Sequence, residues 1–387
     1  MTARLAVTDP SSASPMPRRR LRAEEDQRVT FVELFFDLVF VFAITQITKL
    51  VVEDLTVAGA AEAVLLLWMI WWAWTQFTWA LNPADTTQSG VRLATLAGTA
   101  LAFLMAVAVP EAFGETGLWF ALAYVAVRAL GLVIYAAAAS AETGQRRAVI
   151  VFGTRSAIAM AFAVAGGIVD TPLRWWLWLA AVALDVLAAI RGGREETWDL
   201  LPGHFAERHG LIVIIALGES LVVAGAGVAG QDVTAVLIGV ALGSVVVTCL
   251  LWWLYFGWWQ EAVEGELRRR PRAEQGRFAR DVYSLWHFPL IAGVIGTAVA
   301  IEEMVLHPGD PLPPVVRASL ALGLVLYLGA TDLAWWRATG RLLPARTLAA
   351  VVLAVLVGVL EVAPGWELAL VAVGLLAVVV AERVRGR

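Results

Sequence analysis

The sequence predicts an all-α protein, a polytopic membrane helix bundle of about twelve transmembrane helices. Three observations predict it: the composition, a recurring apolar window of membrane-crossing length, and the placement of the basic residues. Of 387 residues, 60% are hydrophobic and only 16% charged, against about 25% charged in an ordinary soluble domain. Mean hydropathy is +0.74, so most side chains expect lipid or another helix as a neighbour. A closed barrel would need alternating segments of about ten residues, and the sequence contains none.

The first 28 residues, with Arg18, Arg19, Arg20 and Arg22 in a run, lack the apolar core and cleavage site of a signal peptide and read as a disordered cytoplasmic tail. A bilayer core about 30 Å thick takes roughly 20 apolar residues per helix. That window gives spans at 29–50, 57–80, 91–111, 117–140, 148–169, 173–190, 210–230, 233–257, 282–304, 315–336, 344–361 and 365–382. Short loops with turn chemistry separate them, among them Asn82-Pro83, Asp170-Thr171-Pro172 and Pro308-Gly309-Asp310. With both termini cytoplasmic, only Lys49, Arg128, Arg174 and Arg317 of the 29 basic residues fall away from the cytoplasmic side, as the retention of Lys and Arg inside requires. Trp71, Trp72, Trp74 and Trp79, and again Trp252, Trp253, Trp258 and Trp259, read as interfacial anchors at that side. The single cysteine, Cys249, reads as a small buried hydrophobe and excludes an intrachain disulfide.

The second half lies on the first at a nearly constant shift. Phe35-Phe36-Asp37-Leu38-Val39 falls on Leu217-Gly218-Glu219-Ser220-Leu221, Trp71-Trp72 on Trp252-Trp253, and Gly131-Leu132-Val133-Ile134-Tyr135 on Gly323-Leu324-Val325-Leu326-Tyr327. The order of matches predicts two six-helix repeats in parallel orientation, residues 29–195 and 196–387.

Ionisable side chains at membrane depth are costly and mark functional sites by default. Glu33 and Asp37 share one face of the first span with Thr30 and Thr48, and Thr45 borders that face. Glu219 lies mid-span between Gly218 and Ser220, where the repeat superimposes it on Asp37, and Arg128 lies at mid-depth of the fourth span. The candidate ion- or solute-binding residues are therefore Glu33, Asp37, Thr45, Arg128, Glu219 and Ser220, with Arg128 expected as the counter-charge of Asp37 or Glu219. His204 and His209 with Glu207 between them are too unspecific for a metal site and read as surface contacts. The sequence contains no Gly-rich phosphate loop, zinc-protease helix motif or nucleophile elbow, so neither an enzyme, a metal nor a cofactor is expected.

The segment Arg28-Val29-Thr30-Phe31-Val32-Glu33-Leu34-Phe35-Phe36-Asp37-Leu38-Val39-Phe40-Val41-Phe42-Ala43-Ile44-Thr45-Gln46 resembles the opening signature of the bacterial low temperature requirement protein A family. His204-Phe205-Ala206-Glu207-Arg208-His209-Gly210 followed by Leu217-Gly218-Glu219-Ser220 resembles that family's central block. The resemblance implies a multi-pass inner-membrane protein connected with growth in the cold. Phe35, Asp37, Val39, Phe40, Ala43, Ile44 and Thr45 are also similar to the first helix of the potassium channels built from six-helix repeats with an Arg-x-x-x-Phe-Ser-Asp signature. Here Phe31 stands at the arginine position and Phe36 at the serine.

Two functional classes follow. One is a transporter or channel-like protein for a small ion or solute, sited at Asp37 and Glu219. The other is a non-transporting membrane protein that supports envelope function in the cold by binding lipid or a partner, with Arg268 to Arg272 drawn to anionic lipid. Membrane lipids are the expected partners, a homo-oligomer is compatible with either class, and nucleic acid is not expected.

Overall fold

The computed structural model describes residues 27–139, 145–192, 200–229 and 231–386. The expected disordered tail, up to residue 26, and the expected boundary between the two repeats lie outside these residues. Among them the chain is helical throughout, in the order α1 (Phe31–Glu53), α2 (Val57–Leu81), α3 (Ser89–Val107), α4 (Gly117–Ala138), α5 (Gln145–Ile168), α6 (Leu173–Gly192), α7 (Pro202–Val228), α8 (Ala235–Phe256), α9 (Trp259–Arg269), α10 (Arg272–Ala279), a π-helical turn (Arg280–Leu285), α11 (His287–Leu306), α12 (Pro314–Thr339), α13 (Pro344–Val359) and α14 (Pro364–Val384). Eleven segments among the described residues are long and apolar enough to cross a membrane, with α8 and α9 running on as one and α10, the π-turn and α11 as another. The chain is thus a polytopic helical membrane protein.

The helix ends follow from local chemistry. Thr56 and Thr234 each accept the backbone N–H three residues on, at 3.1 Å, the usual N-cap. Pro202, Pro314, Pro344 and Pro364 open their helices, where the missing N–H costs nothing. Gly340 ends α12 at φ 73°, a conformation that favours glycine. At 16 residues α13 is the shortest of the expected spans, about 24 Å long, and it ends where the backbone of Leu360 turns extended (φ −80°, ψ 127°).

The outer surface is apolar. Leu93 is 70% exposed and Val373 67%, and in water so much bare aliphatic surface would aggregate. Cys249 belongs to this surface, exposed rather than buried; lipid is as apolar as a helix interface, so sequence polarity does not separate the two. The tryptophans of α2 depart from the anchor expectation. Trp71, Trp72 and Trp74 are all buried, and Trp71 Nε1 donates to Ser284 O at 2.8 Å. Trp252 and Trp253 do face outward, whereas Trp259 is buried and donates to Thr331 O at 3.1 Å.

Helix neighbours recur along the chain. In the first half α1 packs on α3, α3 on α4, α4 on α5, α5 on α6 and α2 on α6; in the second α7 packs on α11, α11 on α12, α12 on α13, α13 on α14 and α8 on α14. The halves meet chiefly where α1 contacts α7 and α11. The tightest backbone approach is between α11 and α12. A Cβ added at Gly293 would stand 2.6 Å from Gly323 O, and one at Gly323 would stand 2.8 Å from Gly293 O. Without a hydrophobic force between helices in lipid, such small-residue contacts carry the packing. Gly323→Leu is therefore expected to lower the thermal unfolding midpoint of the detergent-solubilised protein, by roughly 1–3 kcal/mol of overpacking strain. Gly329→Ala on the same helix, where a Cβ meets nothing within 4 Å, leaves the midpoint in place.

Candidate functional site

The charges expected on the first span are assembled by α1 and α7 together. Glu33 sits in the first turn of α1, where its Oε1 accepts from the Thr30 backbone N–H (3.0 Å) and hydroxyl (2.8 Å). Its Oε2 lies 2.9 Å from His204 Nε2 and 3.2 Å from Arg208 NH1. One turn further along α1, Asp37 Oδ1 accepts from Arg208 NH2 and, at 2.8 Å, from Trp74 Nε1 of α2. Glu33, Asp37, His204 and Arg208 are all buried. Asn82, just past α2, holds both ends of the entry to α7: its amide donates to Leu201 O (3.1 Å) and accepts from Leu201 N (2.8 Å), and it lies 3.2 Å from His204 Nδ1.

Two carboxylates face one guanidinium, and the pairing leaves Asp37 Oδ2 and Arg208 Nε without partners. His204 also lines a cavity of about 570 Å³ with Arg28, Glu207, Glu264 and Arg268. This vestibule opens on the end of the bundle at which α1 and α7 begin.

Glu219 occupies the same seam 11 residues beyond Arg208 on α7, about 16 Å along the helix. Its Oε2 accepts from the Thr45 hydroxyl at 2.6 Å. Its Oε1 and the neighbouring Ser220 Oγ are buried without partners. Glu302 of α11 and Lys49 of α1 act on it electrostatically, and Glu302 Oε2 is likewise buried and unpartnered. Three helices thus converge on a pair of carboxylates with two hydroxyls, Thr45 and Ser220, and one lysine. Between this pair and the Asp37 cluster the seam is filled by Phe40, Ile44, Ile212, Val213 and Ala216, all buried and apolar.

Five of the six expected residues lie on the α1–α7 seam: Glu33 and Asp37 at one end, Thr45, Glu219 and Ser220 at the other. Arg128 does not join them. Its guanidinium grips Asp185 of α6 at 2.5 and 2.7 Å and donates to Gln76 Oε1 (2.6 Å) and Tyr124 OH (2.7 Å), a bidentate buried pair locking α4 to α6 and α2. The counter-charge of Asp37 is Arg208 instead. The sequence reading counts Arg208 among loop residues because α7 starts about two turns before the expected span. His204 and His209 are buried rather than superficial, and His209 Nδ1 is 2.8 Å from Phe205 O. Glu302 is a further addition. The signal that could have found Arg208 is the i, i+4 spacing of Glu33 and Asp37, which demands a cation on an adjacent helix.

The profile of the family described as bacterial low temperature requirement A protein (LtrA) matches residues 28–381. A protein of Rhizobium meliloti (strain 1021) described as uncharacterized protein RA0937 is 32% identical over 334 residues, covering 83% of this chain and 80% of its own. No solved structure matches the chain.

Removing one member of a buried ion pair leaves a bare charge and costs about 3–5 kcal/mol, whereas replacing both with apolar residues can be neutral. Arg128→Met and Asp185→Leu are each expected to lower the unfolding midpoint in detergent, and the double variant to recover most of the loss. Additive losses would show that the two side chains act separately.

Proposed function

The chain belongs to the bacterial low temperature requirement A protein family, and from that premise we propose that it is a transporter or channel-like protein that moves a small cation, the proton being the simplest, along the seam of α1 and α7. The observation that carries this reading is Glu219, a fully buried carboxylate served by one hydroxyl, with one oxygen bare and a second carboxylate, Glu302, beside it. A charge so placed is expensive unless something cancels it, and the single lysine, Lys49, is set against two carboxylates, Glu219 and Glu302. A proton or a cation arriving from outside does cancel it, with Thr45 and Ser220 as neutral oxygen ligands. At the other end, Glu33 and Asp37 outnumber Arg208 by one charge, and His204, on the wall of the vestibule, lies 2.9 Å from Glu33 Oε2.

In this reading the vestibule is the cytoplasmic entry, the membrane is the bacterial inner membrane, and both termini are cytoplasmic. The recurring order of helix neighbours supports two six-helix repeats, residues 29–195 and 196–387, with the pathway where they meet. The apolar plug between Asp37 and Glu219 means that passage requires α1 and α7 to separate there, or a proton to be handed on by a transient water chain.

The second reading, a non-transporting protein acting through lipid or a partner, is favoured by the arginine that already pairs Glu33 and Asp37. Its electrostatic basis is weakened by Arg268, Arg269 and Arg270, which pair with Glu264, Glu266 and Glu274 of their own segment. Flux of protons and of alkali cations into proteoliposomes separates the two. Wild type is expected to exceed empty vesicles, Glu219→Gln to lose at least tenfold of that flux, and Glu302→Gln to reduce it. Wild-type flux equal to that of empty vesicles, or a Glu219→Gln variant as active as wild type, overturns the transport reading.

A further inference from the structure

We propose that the first half of the bundle contains a separate binding site for a neutral membrane molecule that carries a carbonyl oxygen on an apolar body. The site is a narrow void of about 60 Å³ against the last turns of α2, walled by α4, α5 and α6 and covered by α10 and the π-helical turn. That volume holds a carbonyl group and a few carbons, not a whole lipid, so the rest of the molecule stays outside. Phe152 and Ala189, on the α5 and α6 walls, are only half-buried and connect the void with the outer surface of the bundle.

The chemistry of the ligand is set by what the void lacks. Trp72, Thr75 and Gln76 line it from neighbouring turns of one helix, and their Nε1, Oγ1 and Nε2 atoms are buried without any hydrogen-bond partner. The residues themselves are 4%, 2% and 4% exposed. Each buried donor left unmade is costly, and three together at one void call for acceptors. The orientation of Gln76 is fixed, because its Oε1 accepts from Arg128 Nε at 2.6 Å; the amide N–H groups are therefore the ones left over.

Charge around the site is already spent. Arg128 is committed to Asp185. Arg280, at the cover, is held by Asp281 and by the carbonyls of Ala189 and Ile190 at 3.1 and 3.2 Å. Among the described residues no carboxylate lines the void. The complement is a neutral acceptor, and the rings of Trp72, Trp79, Tyr135 and Phe152 suit a flat or extended apolar body. A lipid ester and a quinone share this chemistry. The site lies apart from the α1–α7 seam, so it stands whether or not the protein transports a cation.

Native mass spectrometry of the delipidated full-length protein tests the site, with dioctanoyl phosphatidylcholine and decylubiquinone titrated as separate probes. One molecule of at least one probe is expected to bind per chain, and the probe that binds identifies an ester or a quinone as the natural source. Thr75→Val and Trp72→Phe, which keep shape and remove a donor, are expected to weaken binding about tenfold each. Ala189→Phe, which fills the void, is expected to abolish it. If Ala189→Phe does not fold, Thr75→Val alone decides. Binding of neither probe, as when water alone satisfies the three donors, or equal binding by wild type and Thr75→Val, overturns the proposal.

Discussion

Arg208 stands between Glu33 and Asp37 inside an apolar bundle, and the positions of α1, α2 and α7 depend on that contact. A buried guanidinium without a counter-charge is costly, so the carboxylates must come from another helix at the right depth. The same constraint operates elsewhere among the described residues. Arg128 and Asp185 fasten α4 to α6, and Arg346 fastens α13 to α14 through Glu382 at 2.7 Å while also donating to Leu254 O of α8. Asp332 of α12 accepts from the Leu343 backbone N–H and the Thr347 hydroxyl at the start of α13. Greasy helices can slide and rotate against one another at little cost; these contacts fix their register.

Against this pattern Glu219 stands out. Its neighbours are a threonine, a serine with a bare hydroxyl, another acid and one lysine, Lys49, and its hydrogen bond comes from the threonine. Asp37 also keeps one oxygen bare, but its other oxygen takes a guanidinium and an indole N–H, whereas the partner of Glu219 is a hydroxyl. The two ends of the seam differ in bonding: at one an arginine is hydrogen-bonded to both carboxylates, and at the other the bond to Glu219 comes from a threonine hydroxyl, which is why the proposed cation is placed at the second.

The helices were legible because membrane spans announce themselves by length and apolarity, and the depth of Asp37, Arg128 and Glu219 was legible with them. The partners were not. A hydropathy window stops where charges begin, so the reading starts the seventh span at residue 210 and leaves His204, Arg208 and His209 outside it, although α7 begins at Pro202 and buries all three. Arg128 was placed correctly and paired wrongly, since nothing in one sequence says that α4 faces α6 rather than α1. The α2 tryptophans misled for a related reason: an indole suits an interface, but it suits equally a buried acceptor such as Asp37 Oδ1 or the carbonyl of Ser284.

That carbonyl belongs to the π-helical turn, an irregular stretch within the long segment that runs from α10 to α11. π-Turns disturb the regular backbone ladder and recur at functional sites. Here Trp71 Nε1 is bonded to Ser284 O, Trp79 Nε1 is bonded to Ser284 Oγ at 2.9 Å, and His287 Nδ1 lies 2.9 Å from Val282 O. The two indoles join α2 of the first half to α10 and α11 of the second. The halves are therefore linked by a few directional bonds at the π-turn and by ion pairs at the seam, whereas α11 and α12 within the second half touch backbone to backbone through glycines. A glycine contact that close allows little sliding, while a hydrogen bond can break and re-form at small cost. In the proposed transport, a movement that separates α1 from α7 past Phe40 and Ala216 is easier between the halves than between α11 and α12.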